Sequence, residues 1–112
     1  MTFADKVKSL RTEARMSVRE LGRQVGVSAM HISNIENGKS NASPEIVKKI
    51  ATALSANADE LLMASEQVDP EIVDVINSNP HNIPSFLRAA KNLTPEQWVL
   101  IQAQVEALTK DK

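Results

Sequence analysis

Cysteine and aromatic residues are scarce in this sequence. It contains no cysteine or tyrosine, and its whole aromatic supply is Phe3, Phe86 and Trp98. The absence of cysteine excludes disulfides and thiolate metal ligands. A core with so few aromatic side chains must be aliphatic, and that composition suits packed helices better than a sheet.

Nothing in the sequence has the spacing of a catalytic, cofactor or metal site. The two histidines, His31 and His81, lie 50 residues apart and cannot form a spaced ligand motif. No nucleophile with a neighbouring base and no glycine-rich phosphate loop is visible, so we expect neither an enzyme nor a cofactor. The N-terminal residues MTFADKVKSL contain no long apolar run, so we expect no signal peptide or membrane span and a cytoplasmic protein.

The net charge of −1 hides a mild asymmetry along the chain. Residues 1–64 carry nine Lys/Arg and seven Asp/Glu, whereas residues 65–112 carry four and seven. A phosphate backbone would therefore meet the first part of the chain rather than the second.

Helix start and stop signals predict five short helices and no strand in the first 64 residues. Four of them begin after a small polar cap residue: Thr2, Ser17, Ser28 and Ser43. Glu20 stands three residues after Ser17 and predicts a capping box. A short fifth helix is expected near Ala58 to Ala64, which closes an all-α domain of residues 1–64.

The remaining residues predict a separate helical segment. Residues 65–69 are interpreted as a linker, and residues 70–112 as helices that open at Pro70, at Pro84 and after Thr94. The stretch NSNPHNIP, residues 77–84, breaks the helical pattern between the first two of these helices. The run TPEQ, residues 94–97, is a strong helix opening.

The most informative stretch is Ser17 to Gly38, in which a short helix, a glycine-bearing turn and a second short helix follow one another. This order predicts a helix-turn-helix, whose second helix lies in the DNA major groove. Gly26 stands where the first helix must end in a tight turn, and Gly22 where the two helices cross closely. Ser28 caps the second helix and leaves its N-terminus directed towards phosphates or base edges.

This stretch resembles the helix-turn-helix domain of the phage repressor and Cro (XRE) family. The most specific matches are the patterns ELGxxVGVS and IxxIENGK and the ending AxAL…DELL. The resemblance covers about residues 3–64, just over half of the chain. It implies a regulator of transcription that binds double-stranded DNA.

The resemblance also implies roles for the outward residues of the second motif helix and the loop after it. The base-contacting residues would be Ser28, Ala29, Met30, Ser33 and Asn34. The sugar-phosphate backbone would be held by Arg19, Arg23, Asn37, Lys39, Ser40 and Asn41. Met30 could equally be an exposed filler. For His31, a packed or solvent-edge residue is favoured over a base contact or a pH sensor.

Three positions concern the framework of the motif. Val18 stands where the family has a glutamine that touches phosphate and braces the recognition helix, so this contact is lost or replaced, with Arg19 as the candidate. Arg11 and Glu36 match the positions of an internal ion pair that ties the first helix to the recognition helix. The alternative for Arg11 is a contact to DNA.

The last helix carries a seam of apolar residues on an otherwise polar surface. Trp98, Ile101, Val105 and Leu108 recur at spacings of three, four and three. Such a heptad-like seam predicts a homodimer interface with Trp98 as its anchor. The alternative is that this face folds back on the N-terminal domain, but the dimer is favoured because operators of the family are usually palindromic.

The C-terminal segment resembles, in its patterns DPEIVDVI and PSFLRAAKNLTPEQW, short repressors encoded beside a metallopeptidase that inactivates them by cleavage. We therefore predict a dimeric repressor that acts on a palindromic operator, with such a metallopeptidase as a regulatory partner. The alternative is an antitoxin-like protein that binds a toxin through its C-terminal segment and regulates its own operon.

Overall fold

The structure, a computed structural model, describes residues 1–110 as eight α-helices without a strand, in agreement with the predicted all-α class. The helices are α1 (Phe3–Glu13), α2 (Val18–Val25), α3 (Ala29–Glu36), α4 (Pro44–Ala53), α5 (Ala58–Ala64), α6 (Pro70–Ser78), α7 (Asn82–Ala90) and α8 (Pro95–Thr109). Asp111 and Lys112, which end the predicted C-terminal segment, lie outside the described residues. Within residues 1–110, no helix has both the length and the apolar character that a membrane crossing requires.

The predicted cap residues begin the first four helices. Thr2, Ser17, Ser28 and Ser43 each accept, through the side-chain oxygen, a hydrogen bond from the backbone N–H three residues later. These bonds satisfy N–H groups that have no acceptor inside the helix. Helix α8 begins in the same way at Thr94, which forms a complete capping box with Gln97.

One aliphatic core holds α1 to α5 together. Helix α2 packs against α3 and α4, α4 packs against α5, and α1 packs against α3 and α5. The buried members of the core are Val7, Leu21, Val25, Ile32, Ile35, Ala42, Val47, Ile50, Ala51, Leu54, Leu61 and Leu62. Burying one such Leu, Ile or Val side chain stabilises the fold by about 1.5–3 kcal/mol.

Residues 65–69, the predicted linker, contact the part of the chain that contains α1 to α5. Gln67 Nε2 donates to the carbonyl oxygen of Ala42 at 2.7 Å, and Asp69 Oδ2 is 3.0 Å from Lys48 Nζ. The chain divides into two compact units between residues 74 and 75, inside α6, rather than within residues 65–69. The predicted boundary therefore precedes the structural one, because residues 65–69 make polar contacts with parts of the chain that are remote in sequence.

Helix α7 begins at Asn82, two residues before the predicted start at Pro84. Proline is tolerated in the first turn because the N–H groups there have no acceptor within the helix. On either side of Pro84, the N–H groups of Ile83 and Ser85 donate to carbonyl oxygens that precede the helix. The prediction that the break extends to Pro84 is therefore wrong.

The second unit has almost no buried interior. Among residues 75–110 only Ala90 is buried. Phe86 of α7 meets Trp98 of α8 edge to face, with ring centroids 6.3 Å apart and an interplanar angle of 76°. This geometry is a favourable one for an aromatic pair.

Candidate nucleic-acid interface

The turn between α2 and α3 depends on two glycines for different reasons. Gly26 ends α2 with φ +88°, a conformation that residues with a Cβ rarely adopt. At Gly22, a Cβ atom would lie 2.7 Å from the carbonyl oxygen of Val27 and 3.2 Å from the backbone of Ser28. The first glycine permits the turn, and the second permits the close approach of the chain that enters α3.

Helix α3 has a buried face and an outward face. Ile32, Ile35 and Glu36 are buried. The opposite face consists of Met30, Ser33, Asn34 and Asn37, all fully or partly exposed, and half-buried Ala29 lies at the edge between the two faces. Ser28, the cap residue, is exposed at the start of the helix. The structure thus places Met30, Ser33 and Asn34 on the side of α3 that faces away from the core, with Ser28 at the start of the helix and Ala29 at the edge of that side.

The loop after α3 presents the other predicted contacts. Gly38 has φ +73° and turns the chain, and the N–H of Lys39 then donates to the carbonyl oxygen of Asn34 at 2.8 Å. The side chains of Lys39 and Asn41 are exposed, whereas Ser40 is half-buried. A lysine and small polar side chains beside an outward helix can bind a phosphate backbone.

The exposed surface of α2 differs from the prediction. The carboxylate of Glu20 accepts hydrogen bonds from Arg23 and from Gln24 and does not return to the Ser17 N–H, so the predicted capping box at Ser17 is incomplete. The hydrogen bond from Arg23 holds the pKa of Glu20 below its usual range, and that of Arg23 is raised. A phosphate group would therefore compete with Glu20 for Arg23, whereas exposed Arg19 forms no ion pair with a carboxylate among residues 1–110.

Val18 packs against the core and is half-buried. It cannot supply the polar contact that the family's glutamine makes at this position, because its side chain is aliphatic and turned inward. The bracing of the recognition helix must come from elsewhere.

Arg11 and Glu36 join α1 to α3 through a two-pronged ion pair. Arg11 Nε lies 2.7 Å from Glu36 Oε2, and Nη2 lies 3.0 Å from Oε1. Nη1 donates to the carbonyl oxygen of Met16 at 2.7 Å. The Arg11 side chain is 16% exposed and that of Glu36 only 5%, and the hydrogen bond with Glu36 raises the pKa of Arg11. The guanidinium is therefore held inside the protein, behind the recognition helix.

Sequence reasoning missed two of these partners. Nothing in the pattern indicated that the Met16 carbonyl would receive Arg11, or that Lys48 would pair with Asp69. Both contacts join groups that carry no distinctive local signal. His31, expected to be a packed or solvent-edge residue, is half-buried, and its backbone N–H donates to the Ser28 cap.

A glycine-bearing turn, an outward polar helix and an internal ion pair behind that helix define a helix-turn-helix DNA-binding protein. A family model described as helix-turn-helix matches residues 7–61. The HTH-type transcriptional regulator RghRB of Bacillus subtilis (strain 168), itself uncharacterized, is 31% identical over 105 residues, which are 91% of this chain and 76% of that protein. The chain therefore belongs to the XRE family of helix-turn-helix transcriptional regulators.

Two further similarities concern mainly the first unit. The HTH-type transcriptional repressor RghR of Bacillus subtilis (strain 168) is 35% identical over 69 residues, which are 61% of this chain and 51% of RghR. This chain thus matches about half the length of that relative. The P22 c2 repressor, solved in complex with a synthetic operator, is similar with a TM-score of 0.54 at 25% identity, over 57% of this chain and 97% of that chain.

Proposed function

We propose that this protein is a transcriptional repressor that binds a palindromic operator as a homodimer. The outward face of α3 carries the proposal, because Met30, Ser33 and Asn34 lie opposite the buried Ile32 and Ile35. The similarity to RghR, named as a repressor, and to the P22 c2 repressor, solved with an operator, supports it.

Each outward side chain has a chemistry that suits one part of the DNA. The amide of Asn34 can donate and accept at once, as adenine recognition in the major groove requires, and Met30 and Ala29 can pack on thymine methyl groups. Lys39 and Asn41 can hold phosphates and set the register of α3 in the groove. Two copies would read half-sites about 34 Å apart.

The test measures binding of the pure, full chain to DNA fragments from around its own gene by fluorescence anisotropy at several salt concentrations. Asn34→Ala should cost about 1–3 kcal/mol and relax specificity at one base position. Lys39→Ala should weaken binding to all sequences and reduce the salt slope by about 1. Lys8→Ala, which removes an exposed charge from α1, is the control.

Tight binding to a palindrome that both substitutions weaken, and that Lys8→Ala leaves unchanged, would support the repressor. Weak binding without sequence preference, equally affected by all three substitutions, would contradict it.

A second candidate function is favoured by the exposed apolar side chains of the second unit. Val99 is 67% exposed and Leu100 is 64% exposed, so this unit could bind a partner protein. The partner would be a toxin that the chain neutralises or a metallopeptidase that cleaves it. Co-expression with the neighbouring gene products tests this. A heteromeric complex or a shortened chain would support the candidate, and an intact chain that purifies without them would contradict it.

A further inference from the structure

Helix α8 carries apolar residues on two opposite faces. The seam predicted from the sequence is only one of these faces, and the rest of the helix was expected to be polar. The front stripe, within about 80° of the helix circumference, consists of Trp98, Ile101, Val105 and Leu108. The rear stripe, within about 100° on the other side, consists of Val99, Leu100, Ala103 and Ala107. Polar residues separate the stripes: Gln102 and Glu106 on one flank, Gln97 and Gln104 on the other.

The front stripe is partly used inside its own unit, whereas the rear stripe is bare. Trp98 contacts Phe86 and is 39% exposed, and Ile101 is half-buried. Val99 and Leu100 are 67% and 64% exposed, and both alanines of the rear stripe are exposed. A helix that is apolar on opposite faces is normally covered on both. Among residues 75–110 only Ala90 is buried, so the second unit does not itself cover the rear stripe.

The charges at the ends of the rear stripe indicate what covers it. Glu96 and Lys110 lie on the same face as the stripe, each seven residues from Ala103, and both are exposed. An antiparallel copy of α8 centred on Ala103 would place each Glu96 beside the Lys110 of the other copy. A parallel copy would place like charges together, which disfavours that orientation.

We propose that the rear stripe of α8 is the two-fold contact between two copies of this chain. In this contact the helices run antiparallel and cross at Ala103, and Val99 of each copy packs against Ala107 of the other. The small side chains at the centre let the helix axes approach to about 8 Å. This inference rests on the proposed homodimer and names its contact face, which differs from the seam expected from the sequence.

The first experiment reverses the charges at the two ends of the rear stripe. It uses the full chain and measures the dimer dissociation constant by sedimentation at low salt. Glu96→Lys and Lys110→Glu should each raise the dissociation constant about tenfold, because both symmetry-related pairs become repulsive. The double variant should return to within about threefold of the wild type. These differences should disappear near 1 M salt.

Rescue separates a contact between copies from an effect on helix stability. An acid in the first turn and a base in the last turn both favour the helix dipole, so a purely local effect would make the double variant the weakest. Failure of the double variant to recover would overturn the proposal.

A matched pair of lysine substitutions then decides between the stripes. Ala103→Lys places two like charges at the two-fold axis and should give a monomer, whereas Val105→Lys on the front stripe should leave the dimer intact. The reverse result would overturn the rear-stripe contact and leave the proposed dimer standing. A wild-type chain that stays monomeric at every concentration would overturn the dimer itself, while the anisotropy experiment reports on α3 independently.

Discussion

At the scale of single residues, the recognition helix is held by one ionised pair. Glu36 lies on α3 one turn after Ile32, and its carboxylate is almost completely buried against Arg11. Arg11 also donates to the carbonyl oxygen of Met16, which immediately precedes the motif. The guanidinium therefore links α1 both to the chain that enters α2 and to the buried face of α3. An ion pair in this position fixes α3 relative to α1 without using the outward face of α3.

Replacing Arg11 by alanine should destabilise the protein by about 3 kcal/mol, because it leaves the carboxylate of Glu36 buried without its partner. Urea unfolding followed by circular dichroism measures the loss. The control is Arg23→Ala, which removes an exposed guanidinium from an exposed pair and should leave the midpoint nearly unchanged. Equal losses in the two variants would show that burial of Glu36 does not decide the effect.

The two glycines of the motif should respond differently to alanine. Gly26→Ala strains a residue at φ +88° and should cost about 1–2 kcal/mol while leaving the packing of α3 unchanged. Gly22→Ala should cost more and also weaken DNA binding, because its Cβ would press on the backbone of Val27 and displace α3. Thermal unfolding and anisotropy on the same samples measure both effects. Normal DNA affinity in a destabilised Gly22→Ala variant would contradict this account.

At the scale of elements, residues 65–69 fasten the start of α6 to the first unit. Asp69 accepts the N–H of Glu71 through one carboxylate oxygen and pairs with Lys48 through the other. Two residues earlier, Gln67 reaches the Ala42 carbonyl at the end of the loop after α3. The segment is therefore part of the folded unit, although its composition is that of a linker.

The attachment of α6 should weaken in acid. The N–H of Glu71, and then the ammonium of Lys48, hold the pKa of Asp69 below its usual range. Because this pKa is lower in the folded than in the unfolded chain, the contribution is complete above the usual aspartate pKa and is lost as the pH falls through the folded value.

Hydrogen-exchange protection of the Glu71 amide measures this effect. Protection should be high at neutral pH and fall in acid, and Asp69→Asn should reduce it at neutral pH as well. Asp59→Asn on α5 should leave it unchanged. Protection that survives in Asp69→Asn would show that the carboxylate is not what holds α6.

At the scale of the whole molecule, stability is concentrated in the first unit. All side chains that are both large and fully buried lie between Val7 and Leu62 among the described residues. The second unit leaves most of its large apolar residues exposed and supplies surface instead of core. This division agrees with the proposal that one part binds DNA and the other joins two copies.

A fragment of residues 1–74 should therefore fold alone and unfold cooperatively, because it retains the whole aliphatic core. It should bind an operator half-site but lose the tight binding to the palindrome that two joined copies provide. Circular dichroism and anisotropy, with the full chain as reference, check both statements. A fragment without cooperative unfolding would contradict the independence of the first unit.

Local signals made much of this fold predictable. Cap residues, the spacing of apolar residues and Gly26 depend on neighbours within one or two turns, so the first five helices and the outward face of α3 follow from the sequence alone. The start of α7 was placed too late because proline was interpreted as a break, although the first turn of a helix accepts it. The seam on α8 was recognised, but its partner Phe86 and the bare rear stripe were not.

The sequence by itself determined the helical class, the helix-turn-helix and the family, since these rest on residue type and short spacing. Only the tertiary structure decided that Lys48 pairs with Asp69, that Gln67 donates to the Ala42 carbonyl, and that Arg11 donates to the Met16 carbonyl as well as to Glu36. The reason is physical. A side chain's hydrogen-bond partner depends on which distant segments the core brings within about 3 Å, and no local pattern encodes that distance.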